Sequence, residues 1–107
     1  MTEQAKKYLS DISLAIDKID QFMVGIDSFY DYEADLKTQS AIERQLSIIG
    51  EAINHLRKTG VRLEHDHQMV GFRNRLVHAY DSIDNTIIWA IIKRHIPKLK
   101  DDLSKLL

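Results

Sequence analysis

Apolar residues in this chain recur every third or fourth position, in blocks broken by glycine, aspartate and serine. Ile12, Ile16, Ile19, Met23 and Ile26 step by four and three, which puts them on one face of an amphipathic helix. That helix is expected from about Glu3 to about Val24, with Gly25 and Asp27-Ser28 loosening its end. Ser28-Phe29-Tyr30-Asp31-Tyr32 is expected to be a connector held by aromatic anchors. Ile42, Leu46, Ile49, Ile53 and Leu56 repeat the stepping and predict a second helix from about Glu33 to Lys58, stopped by Gly60. Gly50 falls in its middle, where glycine costs about 1 kcal/mol relative to alanine. Close approach of another backbone, that of the next helix, would offset this. Residues 59–67 have no helical period and are expected to form a loop.

A short third helix is expected from about Gln68 to about His78, then a turn over Asp81 to Asp84 with Asp84 as N-cap. The fourth helix carries Ile87, Ile88, Ile91, Ile92, Ile96 and Leu99. Pro97 lacks an N–H and is expected to interrupt it near Arg94. Leu103, Leu106 and Leu107 finish an apolar C-terminal turn. No segment carries a convincing strand pattern. The expected product is an all-α helical bundle with short connections.

Composition narrows the picture. A chain of 107 residues is expected to be one domain, 1–107, burying about 65% of its unfolded surface. There is no cysteine, so disulfides, thiolate chemistry and Cys-based metal sites are excluded, which suits a cytoplasmic location. No apolar run approaches the ~20 residues needed to span a bilayer, and no signal-peptide core follows Met1–Lys7. Net charge is -1, which argues against a generic nucleic-acid coat. The halves differ: residues 1–56 carry five Lys/Arg against ten Asp/Glu, and residues 57–107 carry ten against six. Local positive potential in the second half can attract RNA.

That basic half contains Gly71-Phe72-Arg73-Asn74-Arg75-Leu76-Val77-His78-Ala79-Tyr80. Arginine binds phosphate oxygens in a bidentate fork, histidine moves protons near neutral pH, and asparagine can orient either. On a helical wheel Met69, Phe72 and Leu76 form a core stripe, with Arg73 and Tyr80 at its edge. Asn74 and His78 are an i, i+4 pair. Val70 and Val77 form a second apolar strip, expected to lie away from the core and to need cover, which a two-fold homodimer would supply. Arg75 is a candidate RNA-phosphate contact.

This motif resembles that of HEPN-domain ribonucleases, in particular the HepT-like toxin family. Ala41-Ile42-Glu43-Arg44-Gln45-Leu46 and Ile48-Ile49-Gly50-Glu51-Ala52 resemble the family's second helix, and Ile83-Asp84, Trp89 and Pro97-Lys98-Leu99 its last helical region. The resemblance spans roughly Tyr8 to Leu107. Two departures are visible: Ala79 stands where a glycine is common, and Asp66-His67-Gln68 where an aromatic is common. The resemblance implies a HEPN-type bundle of about four to five helices, paired as a two-fold homodimer. It implies an endoribonuclease without metal or other cofactor, the toxin of a toxin–antitoxin pair, with transfer RNA the favoured substrate class. Its catalytic residues would be Arg73, Asn74 and His78. Tyr80 would be the residue to which a minimal nucleotidyltransferase antitoxin attaches AMP. The alternative is a non-catalytic helical dimer that binds nucleotide or serves as substrate-binding subunit of a nucleotidyltransferase.

Other signals have simpler readings. His65-Asp66-His67 shares a face only if extended and lacks further ligands, so no metal site is expected. Glu43, Arg44 and Glu51 are expected to pair or to orient motif side chains, and Trp89 to be core. Phe29, Tyr30 and Tyr32 could stack bases, but anchoring the connector is the expected role.

Overall fold

The computed structural model describes residues 1–78 and 84–107, with side chains described for 1–72 and 84–107. The motif calls at Arg73, Asn74, Arg75 and His78 therefore have a described backbone only, and Tyr80 lies outside the described residues. Among the described residues all regular structure is helical.

The first helix, α1, runs Glu3–Phe22. Thr2 caps it, its hydroxyl accepting from the Ala5 N–H at 3.1 Å. Ile12, Ile16 and Ile19 are buried as their spacing predicts, and Met23 and Ile26 pack partly against the same core. Gly25, at φ 86°, turns the chain where a side chain would strain the backbone.

The expected connector is instead a short helix, α2, over Phe29–Glu33, capped by Ser28. The long second helix accordingly starts later than Glu33: α3 runs Leu36–Lys58. Local hydrogen bonding explains both corrections. The Ser28 hydroxyl accepts from the Asp31 N–H at 3.2 Å, and Asp35 accepts from the Thr38 N–H at 3.0 Å. Two capping side chains seven residues apart thus start two helices. The aromatics of this segment separate. Tyr32 is fully buried, while Tyr30 is exposed. Phe29 and Tyr32 both meet Trp89, at ring-centroid separations of 6.1 and 6.0 Å, so Trp89 joins the core edge.

Helix α3 is the centre of the bundle. Its Ile42, Leu46, Ile49, Ile53 and Leu56 are all completely buried. It packs against α1 along one side and against the next helix, α4 (His67–His78), along the other. Gly50 is buried in the middle of α3. Gly60, at φ 88°, reverses the chain after it.

Glu43, half-buried on α3, has its carboxyl held above the ordinary range by desolvation. A raised carboxyl value means that folding disfavours the charged form. The associated stability is complete below the unfolded value and is lost as pH rises through the folded one. Glu43→Gln is therefore expected to melt like the parent in acid and to be the more stable protein at neutral pH. Thermal melts of both across that range check it.

The last helical region begins at Asp84, which caps α5 (Asn85–Ala90) by accepting from the Thr86 N–H at 2.8 Å, as the sequence predicts. The interruption expected near Arg94 is a five-residue π-helical segment, Ile91–His95, followed by α6 (Ile96–Ser104). Pro97 cannot donate the hydrogen bond a continuous α-helix needs there. The helix widens instead, and the Ile96 N–H reaches back to the Ile91 carbonyl. Ile88, Ile92, Ile96, Leu99 and Leu103 remain buried through the widened turn. Leu106 and Leu107 are exposed, so the apolar C-terminal turn contributes only Leu103 to the core. Lys100 reaches Asp20 at 3.0 Å and ties α6 to α1. Among the described residues no helix is long and apolar enough to cross a membrane.

Candidate active site on the fourth helix

Helix α4 is fixed at its start by two separate ties. The first is Asp66, whose carboxylate accepts from Arg57 Nε at 3.1 Å and Nη2 at 2.6 Å. This is a fork-to-carboxylate pair, and Asp66 raises the Arg57 guanidinium above its ordinary value. The Asp66 carbonyl meanwhile accepts from the Met69 and Val70 N–H groups and so opens the helix. The second tie is His65. Its backbone N–H and Nδ1 both meet the buried carboxylate of Asp102, at 2.9 and 3.0 Å. The His65-Asp66-His67 run thus does not act as one unit: His65 binds Asp102 on α6, Asp66 binds Arg57 on α3, and His67 is exposed at the head of α4. Glu64, His65 and Asp102 bring one ligand-type atom each within 4.8 Å of one another. The two Asp102 oxygens already serve His65, which makes this cluster a structural tie.

Past these ties α4 continues as helix through position 78. Met69 and Phe72 are buried, as the core stripe predicts; Leu76 belongs to the same stripe by spacing, but its side chain is outside those described. Positions 73, 74, 75 and 78 occupy the later turns of this one helix, and 74 and 78 are a turn apart. Val70 corrects the sequence reading. It is not on a strip away from the core, because it packs partly against the core. Val70 shares the lining of a groove of about 580 Å³ with Phe72, Ile87 and Ile91. Val77 lies among the undescribed side chains.

Arg57, His67 and His95 rim that groove, with Gly71 in its wall. Through His67, Gln68 and His95 it runs into a smaller cavity of about 230 Å³ that also meets Glu64, His65 and Lys98. Desolvation, with Lys98, Arg94 and His65 adding to it, holds the His95 imidazole below its ordinary value. Sequence reasoning did not find His95, His67 or Arg57 as groove residues. His95 follows Ile88 and Ile91 at core-like intervals, and only the π turn takes it to the groove rim.

A separate open groove of about 530 Å³ lies between α1 and α3, lined in part by Lys7, Tyr8, Arg44, Glu51 and His55. There Tyr8 stacks on His55 at 5.3 Å, and His55 Nε2 sits 3.1 Å from Glu51. Arg44 and Glu51, flagged from sequence, are thus on the outward side of α3. Glu43 faces the buried Tyr32, whose phenol burial and the Glu43 charge together push upward.

Comparison with known proteins gives this geometry its context. The ribonuclease HepT-like family matches residues 12–106. The chain is 38% identical to a protein of Thermococcus cleftensis named as a probable ribonuclease HepT, over 99% of this chain and 98% of that one. It is 31% identical to a candidate RNase of Methanocaldococcus jannaschii, over 92% of both chains. It is 32% identical to another from Caldanaerobacter subterraneus subsp. tengcongensis, over 95% of this chain and 93% of that one. No solved structure matches. The match spans every helix from the middle of α1 to the end of α6, and on it the chain belongs to the ribonuclease HepT-like family.

Proposed function

We propose that this protein is a metal-independent endoribonuclease whose catalytic groups are Arg73, Asn74 and His78, working as a two-fold homodimer with two copies of the motif facing one cleft. The observation that carries this reading is the continuity of α4 through position 78. An arginine, an asparagine and a histidine thereby belong to one helix, and not to a loop. Membership of a ribonuclease family supports the substrate class.

The chemistry follows from the residue types. The RNA 2′-hydroxyl attacks the adjacent phosphorus and the bond to the 5′-oxygen breaks. His78 takes the 2′-hydroxyl proton or delivers one to the departing 5′-oxygen, and the partner copy's imidazole serves the other transfer. Arg73 neutralises charge building on the phosphoryl oxygens. Asn74 holds His78 or the phosphate in position. The products carry a 2′,3′-cyclic phosphate or its hydrolysis product. End-group analysis of RNA cut in the presence of EDTA tests this. Cyclic phosphate ends are expected, and 3′-hydroxyl ends contradict it.

The protein is the toxin of a toxin–antitoxin pair in this reading, with transfer RNA as the favoured target. A minimal nucleotidyltransferase silences it by attaching AMP to Tyr80. A phosphate-bearing group beside Arg73 would occupy the anion site and repel RNA. Co-expression with the cognate nucleotidyltransferase is expected to raise the intact mass by whole AMP units. Tyr80→Phe is expected to abolish that gain and leave RNA cleavage in place. An unchanged gain in Tyr80→Phe moves the modification elsewhere.

A further inference from the structure

Large apolar side chains are exposed at the end of the bundle where α2 joins α1 to α3. Of the eight such side chains among the described residues, Phe22, Val24, Tyr30 and Leu36 fall within 15 consecutive positions. Tyr8 on α1 stacks on His55 near the end of α3, so the two helices run antiparallel. The last turn of α1, the whole of α2 and the first turn of α3 therefore share the opposite end. Single exposed apolar residues are ordinary, but a group of them at one end of a domain marks a contact surface. Val24 and Tyr30 are 81% and 78% exposed, yet their backbone is held. The Val24 N–H donates to the Gln21 carbonyl, the Ile26 N–H to the Met23 carbonyl, and the Asp27 N–H to the Asp31 carboxylate. Side chains presented on ordered backbone lose little freedom on binding.

The charge of this end decides what it receives. From Ile19 to Leu36 there are five carboxylates and no lysine, arginine or histidine, and Lys18 and Lys37 stand at the two flanks. Asp20 is paired with Lys100. Asp27, Asp31 and Glu33 are exposed in the same stretch as Val24 and Tyr30. A surface of this sign repels phosphate, so RNA is not its occupant. It fits a protein face with an apolar centre and arginines at its margin. A guanidinium there can lie over the Tyr30 ring and pair with a nearby carboxylate. The Tyr30 ring is backed edge-on by Phe29 at 6.0 Å, and Phe29 by Trp89 at 6.1 Å.

Gln39 ties this end to the helix that follows the motif. Its Nε2 donates to the Tyr32 and Glu33 carbonyls at 3.0 and 2.9 Å, and its Oε1 accepts from Asn85 Nδ2 at 3.4 Å. The end of α2, the first turn of α3 and the start of α5 thus meet at one side chain. Tyr80 precedes Asn85 by five residues, at most about 18 Å of fully extended chain. A standard protein interface covers about 800 Å² on each partner, roughly 30 Å across. One protein can therefore grip Tyr30 and act at residue 80.

We propose that residues 22–36 form the docking surface for the nucleotidyltransferase that modifies Tyr80, which binds here through an arginine-bearing face with an apolar centre. The proposal rests on the modification reading above and adds to it the surface by which that enzyme is held.

The test is the affinity of the fluorescently labelled whole protein for the purified cognate nucleotidyltransferase, without ATP, followed by anisotropy. Tyr30→Ala is expected to weaken binding about thirtyfold, as loss of a central aromatic anchor does. The double reversal Asp27→Lys with Glu33→Lys is expected to weaken it about tenfold or more at low salt, and much less at high salt. Lys7→Ala, at the opposite end of α1, is expected to bind as the parent does. RNA cleavage and melting temperature are expected to be unchanged in Tyr30→Ala. Parent-like affinity in both Tyr30→Ala and the double reversal overturns the surface, and so does a parent that does not bind. Loss of self-association by Tyr30→Ala in light scattering overturns it in favour of an interface between copies of the chain. Loss of RNA cleavage with partner affinity intact overturns it in favour of a base-stacking role. AMP transfer, followed by intact mass with ATP added, separates the two readings. A parent that binds but gains no AMP refutes the modification and leaves the surface standing. A Tyr30→Ala protein modified with the parent's KM refutes the surface and leaves the modification standing.

Discussion

Replacing His78 with alanine is expected to lower the RNA cleavage rate about a thousandfold while leaving the melting temperature within a few degrees of the parent. General acid–base catalysis by a placed side chain contributes about 10² to 10⁴ in rate, and the proposed dimer would lose both copies at once. Arg73→Ala is expected to cost a comparable factor through the phosphoryl charge it no longer neutralises. Arg73→Lys should recover little, because a point charge cannot reproduce the planar two-point contact. Single-turnover cleavage separates these losses from weaker binding: kcat falls in His78→Ala with KM nearly constant. Activity equal to the parent in His78→Ala removes the imidazole from the mechanism.

The second large effect is on stability. Asp66→Ala is expected to cost about 3 kcal/mol, the low end for breaking a buried ion pair. The low end applies because Asp66 is 8% exposed but Arg57 is 23% exposed, so water reaches the stranded guanidinium. For a domain of this size that is a fall in melting temperature of about 12 °C or more. Lys7→Ala removes an ion pair of similar geometry, 2.9 Å to Asp11, but with side chains 67% and 40% exposed. It should leave the melting temperature close to the parent's, because water screens an exposed pair. Burial, and not distance, decides between the two. Asp66→Ala also loosens the segment from which α4 starts, so its activity should fall at temperatures where the fold persists. Chemical denaturation of Asp66→Ala, Arg57→Met and the double variant checks the coupling: the double variant is expected to lose less than the two singles together. Strict additivity would mean that the pair does not act as one.

Much of the bundle was legible because its helices are amphipathic and their ends are chemically marked. Ile12, Ile16 and Ile19 on α1 and the five apolar positions of α3 are buried as their spacing requires. Asp84 and Gly60 act as the start and stop signals they resemble. Pro97 announced a break, and the break is a π turn because one missing N–H can be bypassed by widening a helix without ending it. The helix over Phe29–Glu33 was hidden because five residues are too few to display a period, and the Ser28 cap that starts it looks like any loop serine.

Around the motif, the backbone of α4 runs as its sequence pattern predicts, but its surroundings were only partly legible. Residue chemistry and the family resemblance together pointed to Arg73, Asn74 and His78, whose side chains lie outside those described. A helical wheel for one helix contains no neighbour, so it could not show that Val70 packs partly against the core. Nor could it find the groove residues Arg57, His67 and His95, which come from three separate elements. Asp66 and His65 are neighbours in sequence, but only the fold shows that each has its own partner, Arg57 and Asp102, on a different helix.

Cleavage of a synthetic RNA and of its all-2′-deoxy counterpart, side by side in EDTA, decides whether the ribose hydroxyl is the nucleophile and whether any ion is needed. The ribose strand is expected to be cut, its deoxy twin to survive intact, and chelation to change neither result. A deoxy strand cut at the same rate, or an RNA spared once divalent ions are removed, would contradict it.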